Sequence, residues 1–419
     1  MNRDDVVDIV NELSAKLDQF KAQIAASEAA KRSAEIEAGA ALAAKLVFEK
    51  SAAILSHNRL QASADEFDSF LRMSRDEFDY DLKLIANDKR LLFPKARYTA
   101  GDVLVAFYYH LKISGNLTVT QQLTLIDQSV LSRTFPIVSE LLCEHYRKFI
   151  RFLEEEEWAM HCDAVLDVYD PPALHKEDRD KVVDELRNCW FYVVDGSGFN
   201  EKHATVDPIV SKLQCCFFKG NAAQWRTQFV CSPLGFVVWA GGQDIGKQSD
   251  DTAYDHSGFA ESFNSFYKLV QDPSNRLRRG RSNNIGTLAN HRLLGDCGYP
   301  NIANVPYDTD LMLTRSAQEK NMHNGVWPKA RNKPWVIVSP HIAPLRMVIE
   351  RVFGSISACS KWLEGKTFVS QRTLAYEAVL ILIGKQNKRI EAGNLKFIRA
   401  NWDPEIAKKA HRTRKFSNN

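Results

Sequence analysis

Three acidic residues stand at positions that stability alone explains poorly. Asp195 follows the apolar run CWFYVV, Asp296 follows the run HRLLG, and a glycine comes soon after each acid. Glu350 lies within the segment MVIERVFG, whose apolar spacing predicts a helix. Because burying a carboxylate costs free energy unless the group is paired or binds a cation, such acids at the ends of buried strands indicate ligands.

Two acids at strand ends and one on a helix can converge at the rim of a sheet. Carboxylate oxygens suit Mg²⁺ or Mn²⁺, and two such ions would activate a water or a 3′-hydroxyl and stabilise the leaving oxygen of a phosphodiester. We therefore expect Asp195, Asp296 and Glu350 to be catalytic residues and ligands of two Mg²⁺ or Mn²⁺ ions.

Each acid also has an ordinary structural interpretation. Asp195 and Asp296 could belong to simple turns with the glycines after them. Glu350 could pair on the helix surface with Arg346, one turn earlier, and Arg346 could equally reach a phosphate. For each acid alone the ordinary interpretation is favoured, whereas the three acids in their predicted strand order favour a metal site.

The predicted elements from residue 189 onward indicate an α/β domain. The pattern gives three strands, a helix, a strand and two helices, which is the order of an RNase H-like nuclease domain. The first strand is expected to end at Asp195, and a turn at 232–235 joins the second and third. The segments are CWFYVVDG, KLQCCFFKGNAAQWRTQFVC, LGFVVWAGG, SGFAESFNSFYKLV, HRLLGDCGY, HIAPLRMVIERVFGSISACSKWL and QRTLAYEAVLILIGKQNKRI, with PWVIVSP as a further possible strand.

An all-α region is predicted before this domain, and it begins with a coiled coil over 1–60. Its apolar seam, from Val6 to Ile24, alternates steps of four and three residues. A dimerising coiled coil and a single amphipathic helix on its own domain are equally supported. The dimerising interpretation leads us to expect a homo-oligomer.

Residues 61–153 predict further helices in an arrangement like a helix-turn-helix module. Ser74 is expected to cap the helix that continues through RDEFDYDLKLI. The last helix of such a module would present Arg133 to DNA, together with Gln128, Ser129 and Ser132. A plain helical bundle explains the same pattern at least as well.

The remaining boundaries follow from composition. Residues 154–188 are acidic and contain two adjacent prolines, which predicts a linker before a nuclease domain at 189–390. Residues 391–419 form a basic tail, and KKAHRTRK within it could serve in nuclear localisation or DNA contact. The first residues are charged rather than apolar, so we expect an intracellular, soluble protein without membrane segments.

The net charge of only +3 means that basic residues must cluster if DNA is the partner. One such cluster lies in NRLRRGRS, where four arginines occupy six positions, and we expect them to contact phosphates. They are Arg276, Arg278, Arg279 and Arg281. None of the eight cysteines forms a C-x-x-C pair, which disfavours a zinc ribbon.

Several segments in order resemble the endonuclease domain of PIF/Harbinger transposases. They are VVDGSG, the Lys219-Gly220 step, GKQSDDTAYDHSGF, LLGDCGYP and LRMVIERVFGSI, over about residues 190–385. The resemblance implies that Asp195, Asp296 and Glu350 form a DDE triad. It also implies that Asp250 is a further acid of the metal site. SPHIAP replaces the asparagine-rich phrase usual before the final helix, and the loop at 271–290 is enlarged.

The family implies a nuclear enzyme that cuts DNA at transposon ends and joins the 3′-hydroxyls to target DNA, helped by a Myb-like partner protein. One alternative is a domesticated, DNA-binding relative that no longer transposes, although the three acids are all present. Another is a helical scaffold protein whose second domain is structural.

Overall fold

The computed structural model describes residues 56–60, 70–93, 98–113, 115–154, 157–158, 160–161, 189–202, 215–216, 222–245, 248–271, 290–295, 299, 309–313, 336–337, 343–364, 367–368 and 371–393. Nearly all of the predicted coiled coil and of the basic tail lies outside these residues. Both therefore stay predictions.

The N-terminal part of the structure is helical, as expected. Ser74 caps α2, and Glu77 closes a capping box with it, which confirms the predicted start of this helix. The helices are α1 (His57–Leu60), α2 (Arg75–Ile85), α3 (Ala100–Lys112), α4 (Leu117–Thr124) and α5 (Gln128–Tyr146).

The second part contains a mixed sheet with β1 near its centre. Its strands are β1 (Cys189–Lys202), β2 (Cys215–Cys216), β3 (Ala222–Cys231), β4 (Val237–Ile245), β5 (Asn290–Gly295), β6 (Thr309–Leu313), β7 (Val336–Ile337) and β8 (Thr367–Phe368). The main order is β2-β3-β1-β5-β6-β7, with β4 also on β3 and β8 also on β1. Strands β1, β3 and β4 are antiparallel, whereas β5 to β7 continue in parallel on the other side of β1.

Helices cover both faces of this sheet. They are α6 (Asp250–His256), α7 (Phe259–Gln271), α8 (Met347–Cys359), α9 (Lys361–Glu364) and α10 (Arg372–Glu391). On one face, Phe229 of β3 packs against Phe353 of α8. On the other, Tyr192 of β1 packs against Phe263 of α7. Odd-numbered β1 positions therefore face α8, and even-numbered ones face α6 and α7.

Some predicted elements differ in the structure. The segment from Lys212 to Cys231 contains two separate strands, β2 and β3, rather than one. Strands β6 and β8 and helix α6 were not predicted from the sequence. The turn at 232–235 is confirmed, because the N–H of Gly235 donates to the Ser232 carbonyl at 2.9 Å and Gly235 has a φ of +83°.

Helix α10 connects the helical part to the sheet. Its Asn387 bonds to both backbone groups of Val237 in β4 and to the Phe149 carbonyl after α5. Arg389 pairs with Glu77 of α2 at 2.5 Å. The buried apolar residues of both parts form one continuous core. No helix in the described portion is long and apolar enough to cross a membrane.

Candidate active site

Asp195 lies in the middle of β1, so the prediction that the first strand ends there is wrong. The strand continues because Gly196, Ser197 and Gly198 stay paired with β3. Among the described residues, its parallel ladder with β5 runs from the pair Cys189–Asn290 to the pair Val193–Leu294. Asp195 comes two residues after Val193, the last β1 residue of these pairs.

Arg346 brings Asp195 and Glu350 to one place. Its Nη2 donates to Oε1 of Glu350 at 2.6 Å, and its Nη1 lies 3.8 Å from Oδ2 of Asp195. Asp195 has the same parity as the β1 positions that face α8, which agrees with this contact. Two of the three predicted catalytic acids thus share one guanidinium, although they lie far apart in the sequence.

The exposures of these three side chains differ. Those of Asp195 and Arg346 are 16% and 21% exposed, whereas that of Glu350 is 45% exposed. The Glu350 side chain is thus more exposed to water than we expect for an acid that faces the rim of the sheet. The surface pairing of Arg346 with Glu350 that we considered from the sequence is present, and it occurs together with the contact to Asp195.

The charge of Asp195 also acts within the sheet. Cys231 lies on β3, opposite Val193. Burial, and to a lesser extent the Asp195 carboxylate, raise the pKa of the Cys231 thiol well above its usual value. This thiol therefore stays neutral at physiological pH and is unsuited to act as a nucleophile.

Asp250 lies on the opposite face of β1 from Asp195. Its carboxylate pairs with Arg226, a β3 side chain that is only 6% exposed. A Cβ atom at Gly196 would lie 3.0 Å from Oδ1 of Asp250. Because successive residues of a strand point to opposite faces, the structure does not bring Asp250 together with Asp195 and Glu350.

Several predicted residues lie outside the described part of the chain. Asp296 is among them, and so are Arg276, Arg278, Arg279 and Arg281. Arg133 is described: it lies exposed on α5, with its Nε bonded to the Ser129 carbonyl at 3.1 Å. Ser129 and Ser132 are also exposed, whereas the amide of Gln128 bonds to Thr118.

The donor chemistry of the candidate site suits a divalent cation. Asp195 and Glu350 supply carboxylate oxygens, and both contact the same positive group. Within the described ranges no group of three or more potential metal ligands occurs. Asp195 and Glu350 are the residues of this described site that could hold a Mg²⁺ or Mn²⁺ ion.

Comparison with known families identifies part of the chain. Residues 207–384 match the model of the DDE superfamily endonuclease. The chain contains a DDE superfamily endonuclease domain. Comparisons with curated proteins and with solved structures found no match.

The endonuclease match includes Asp250, Asp296 and Glu350, and it begins after Asp195. It also includes Arg346 and the arginine cluster. Asp195 is therefore assigned to the candidate site by its contact with Arg346, because the family match does not include it. Domains of this family generally use divalent metals.

Proposed function

We propose that this protein is a divalent-metal-dependent DNA endonuclease and strand transferase that cuts DNA at transposon ends and joins the freed 3′-hydroxyls to target DNA. The contact of Arg346 with both Asp195 and Glu350 carries the proposal. A surface salt bridge needs only one acid, whereas a metal site needs several that converge.

The strand register supports Asp296 as the third acid. Val193 and Leu294 are partners in the parallel ladder of β1 and β5. Asp195 comes two residues after Val193, and Asp296 comes two residues after Leu294 in the sequence. Neighbouring parallel strands point partner side chains to the same face, so we propose that Asp296 joins Asp195 there.

Each residue of the proposed site has a distinct role. Asp195, Asp296 and Glu350 would hold the cations. When bound, these would supply an activated oxygen nucleophile and charge stabilisation at the phosphodiester. Arg346 offers a planar donor group that suits a phosphate oxygen. Asp250 would stabilise the site from the opposite face of β1, through its ion pair with Arg226. The role of Asp250 as a metal ligand stays a prediction.

The finer assignments rest on the sheet order and on sequence patterns. The sheet order, three antiparallel strands extended in parallel from β1, supports an RNase H-like fold. Membership of the PIF/Harbinger family, nuclear location, self-association and a Myb-like partner protein are proposals that rest on the sequence resemblance and on the coiled-coil and tail patterns.

DNA contact is proposed at two places. The arginine cluster of 276–281 would bind phosphates, so its replacement by alanine should weaken binding to all DNA sequences alike and flatten the salt dependence. Arg133 would contribute from α5, where the exposed surface also carries the acidic Glu140 and Glu144. That mixed charge favours a minor role for α5.

Nicking of supercoiled plasmid DNA with Mn²⁺ tests the proposed function. Glu350→Gln keeps the size of the side chain and removes its charge, so nicking should fall at least about a hundredfold while the thermal melt changes little. Glu140→Gln is a matched control, because Glu140 is an exposed helical glutamate that pairs with Arg90 at 3.0 Å. A Glu350→Gln protein that nicks at the wild-type rate would refute the assignment of Glu350, whereas a wild type that binds DNA without cutting it would point to the domesticated alternative.

A further inference from the structure

We propose that Arg346 competes with divalent cations for Asp195 and Glu350, and so sets the metal affinity of the site. The inference rests on the proposed function, because it takes these acids to be metal ligands. It adds a role in metal binding to the phosphate contact suggested for Arg346.

The geometry places the guanidinium where a cation would be attracted. Two nitrogens of Arg346 contact two different carboxylates: Nη2 lies 2.6 Å from Glu350, and Nη1 lies 3.8 Å from Asp195. The shorter contact is a charge-assisted hydrogen bond that uses Oε1 of Glu350, an oxygen that a metal ion could also bind. Any cation that binds this oxygen therefore has to break or weaken the contact with Arg346.

Local packing limits where Arg346 can go. It is the last residue of the 3-10 turn Ala343–Arg346, directly before α8, and its side chain is 21% exposed. Leu345 beside it is fully buried, which fixes the backbone of this turn. The base of the Arg346 side chain therefore stays next to the acids, and a cation would displace only its guanidinium end.

This arrangement links metal binding to DNA binding. While Arg346 pairs with the two acids, its donors are engaged and the acids are partly neutralised. Once a cation takes over these carboxylates, the guanidinium is available to a phosphate. Cation and DNA should therefore favour each other, and Arg346 should be responsible for part of that coupling.

Calorimetric titration of the full-length protein with Mn²⁺, without DNA, tests the proposal. Arg346→Ala should bind Mn²⁺ about fivefold more tightly than the wild type, because the competing charge is gone. Arg346→Lys, which keeps the charge but loses the forked geometry, should lie between them. Arg351→Ala removes an equal charge from a nearby position, on α8 itself, and reports the general electrostatic effect.

The outcomes separate this proposal from the proposed function. If Asp195→Asn/Glu350→Gln binds Mn²⁺ as the wild type does, the acids are not ligands and both proposals fail. If the double variant loses Mn²⁺ binding but Arg346→Ala binds no more tightly than Arg351→Ala, only the competition is refuted. If Arg346→Ala does not fold, Arg346→Lys decides, and unchanged affinity in that variant would overturn the proposal.

Discussion

The carboxylate of Asp250 lies against the backbone of Gly196, so that a Cβ atom on Gly196 would come within 3.0 Å of its Oδ1 and within 2.8 Å of Nε2 of Gln228. A glycine is required at position 196 because there is no space for a side chain. The backbone conformation does not require it, because β1 is regular there. Arg226 and Tyr299 complete this packing through their bonds to Asp250 and Gln228. The residue next to Asp195 is thus held from behind the sheet.

Gly196→Ala should destabilise the fold and displace Asp195. The added methyl group has to push the buried side chains of Gln228 and Arg226 as well as the half-buried Asp250, which costs about 1–3 kcal/mol. Chemical denaturation measures this cost, and nicking of plasmid DNA should fall with it. Gly354→Ala is the control, because a Cβ atom there meets nothing within 4 Å and lies on a helix, where alanine is preferred. Equal stability of the two variants would contradict the packing argument.

Removal of the Asp250 charge should reveal whether this residue acts as a metal ligand or as a partner of Arg226. Asp250→Asn leaves the nearly buried Arg226 without its counter-charge, so stability should fall by about 3 kcal/mol. The position of Asp250 behind β1 predicts that Mn²⁺ affinity stays near the wild-type value. A large loss of Mn²⁺ binding with little loss of stability would instead support the prediction made from the sequence resemblance.

The sequence predicted local features well where one segment determined them. Ser74 at the start of α2 is an example, since both members of its capping box lie within four residues. The position of Asp195 in its strand was predicted wrongly, because Asp-Gly is also typical of a turn. The glycine is needed here for the close approach of side chains from β3 and α6.

Relationships between distant segments were not predictable in the same way. Which face of β1 Asp250 reaches depends on where α6 packs, and its position in the sequence does not determine that. The bridge from Arg346 to Asp195 likewise requires α8 to lie over the odd-numbered side of β1. Only the pairing of Arg346 with Glu350 follows from helical spacing.

Buried histidine should make the fold sensitive to mild acid. Burial lowers the pKa of His110 to about 4, from an ordinary value of 6.5. The unfolded chain therefore takes up the proton at a higher pH than the folded protein does. The free energy of unfolding is at its full value above pH 6.5, and it decreases by on the order of 3 kcal/mol as the pH falls towards 4. Denaturation between pH 7 and 4 measures it.

His110→Phe should flatten part of that pH dependence, because the side chain is enclosed by Phe135 and Trp362 and an aromatic ring can replace it. His161 has a pKa lowered to about 4 by burial and adds a slope of the same sign, so some dependence should remain. A His110→Phe protein with the full wild-type slope would show that His110 does not titrate as described.

Asp81 and Lys385 form a buried ion pair that joins α2 to α10, and it offers a test of how firmly the helical part is attached to the endonuclease domain. Asp81 is fully buried and also accepts hydrogen bonds from Tyr108, at 2.6 Å, and Tyr146. Lys385→Met leaves this carboxylate buried without its cation, which should cost about 3–5 kcal/mol.

The double variant Asp81→Asn/Lys385→Met should cost clearly less than the sum of the two single changes, because no unpaired charge remains. Urea denaturation of the four proteins in this cycle measures the coupling. Lys388→Met is the control on the same helix: Lys388 lies 3.0 Å above the Tyr80 ring, and losing that contact should cost about 1 kcal/mol or less. Additive costs at Asp81 and Lys385 would show that the pair does not hold the two parts together, and that the apolar contacts of α10 with α5 are sufficient.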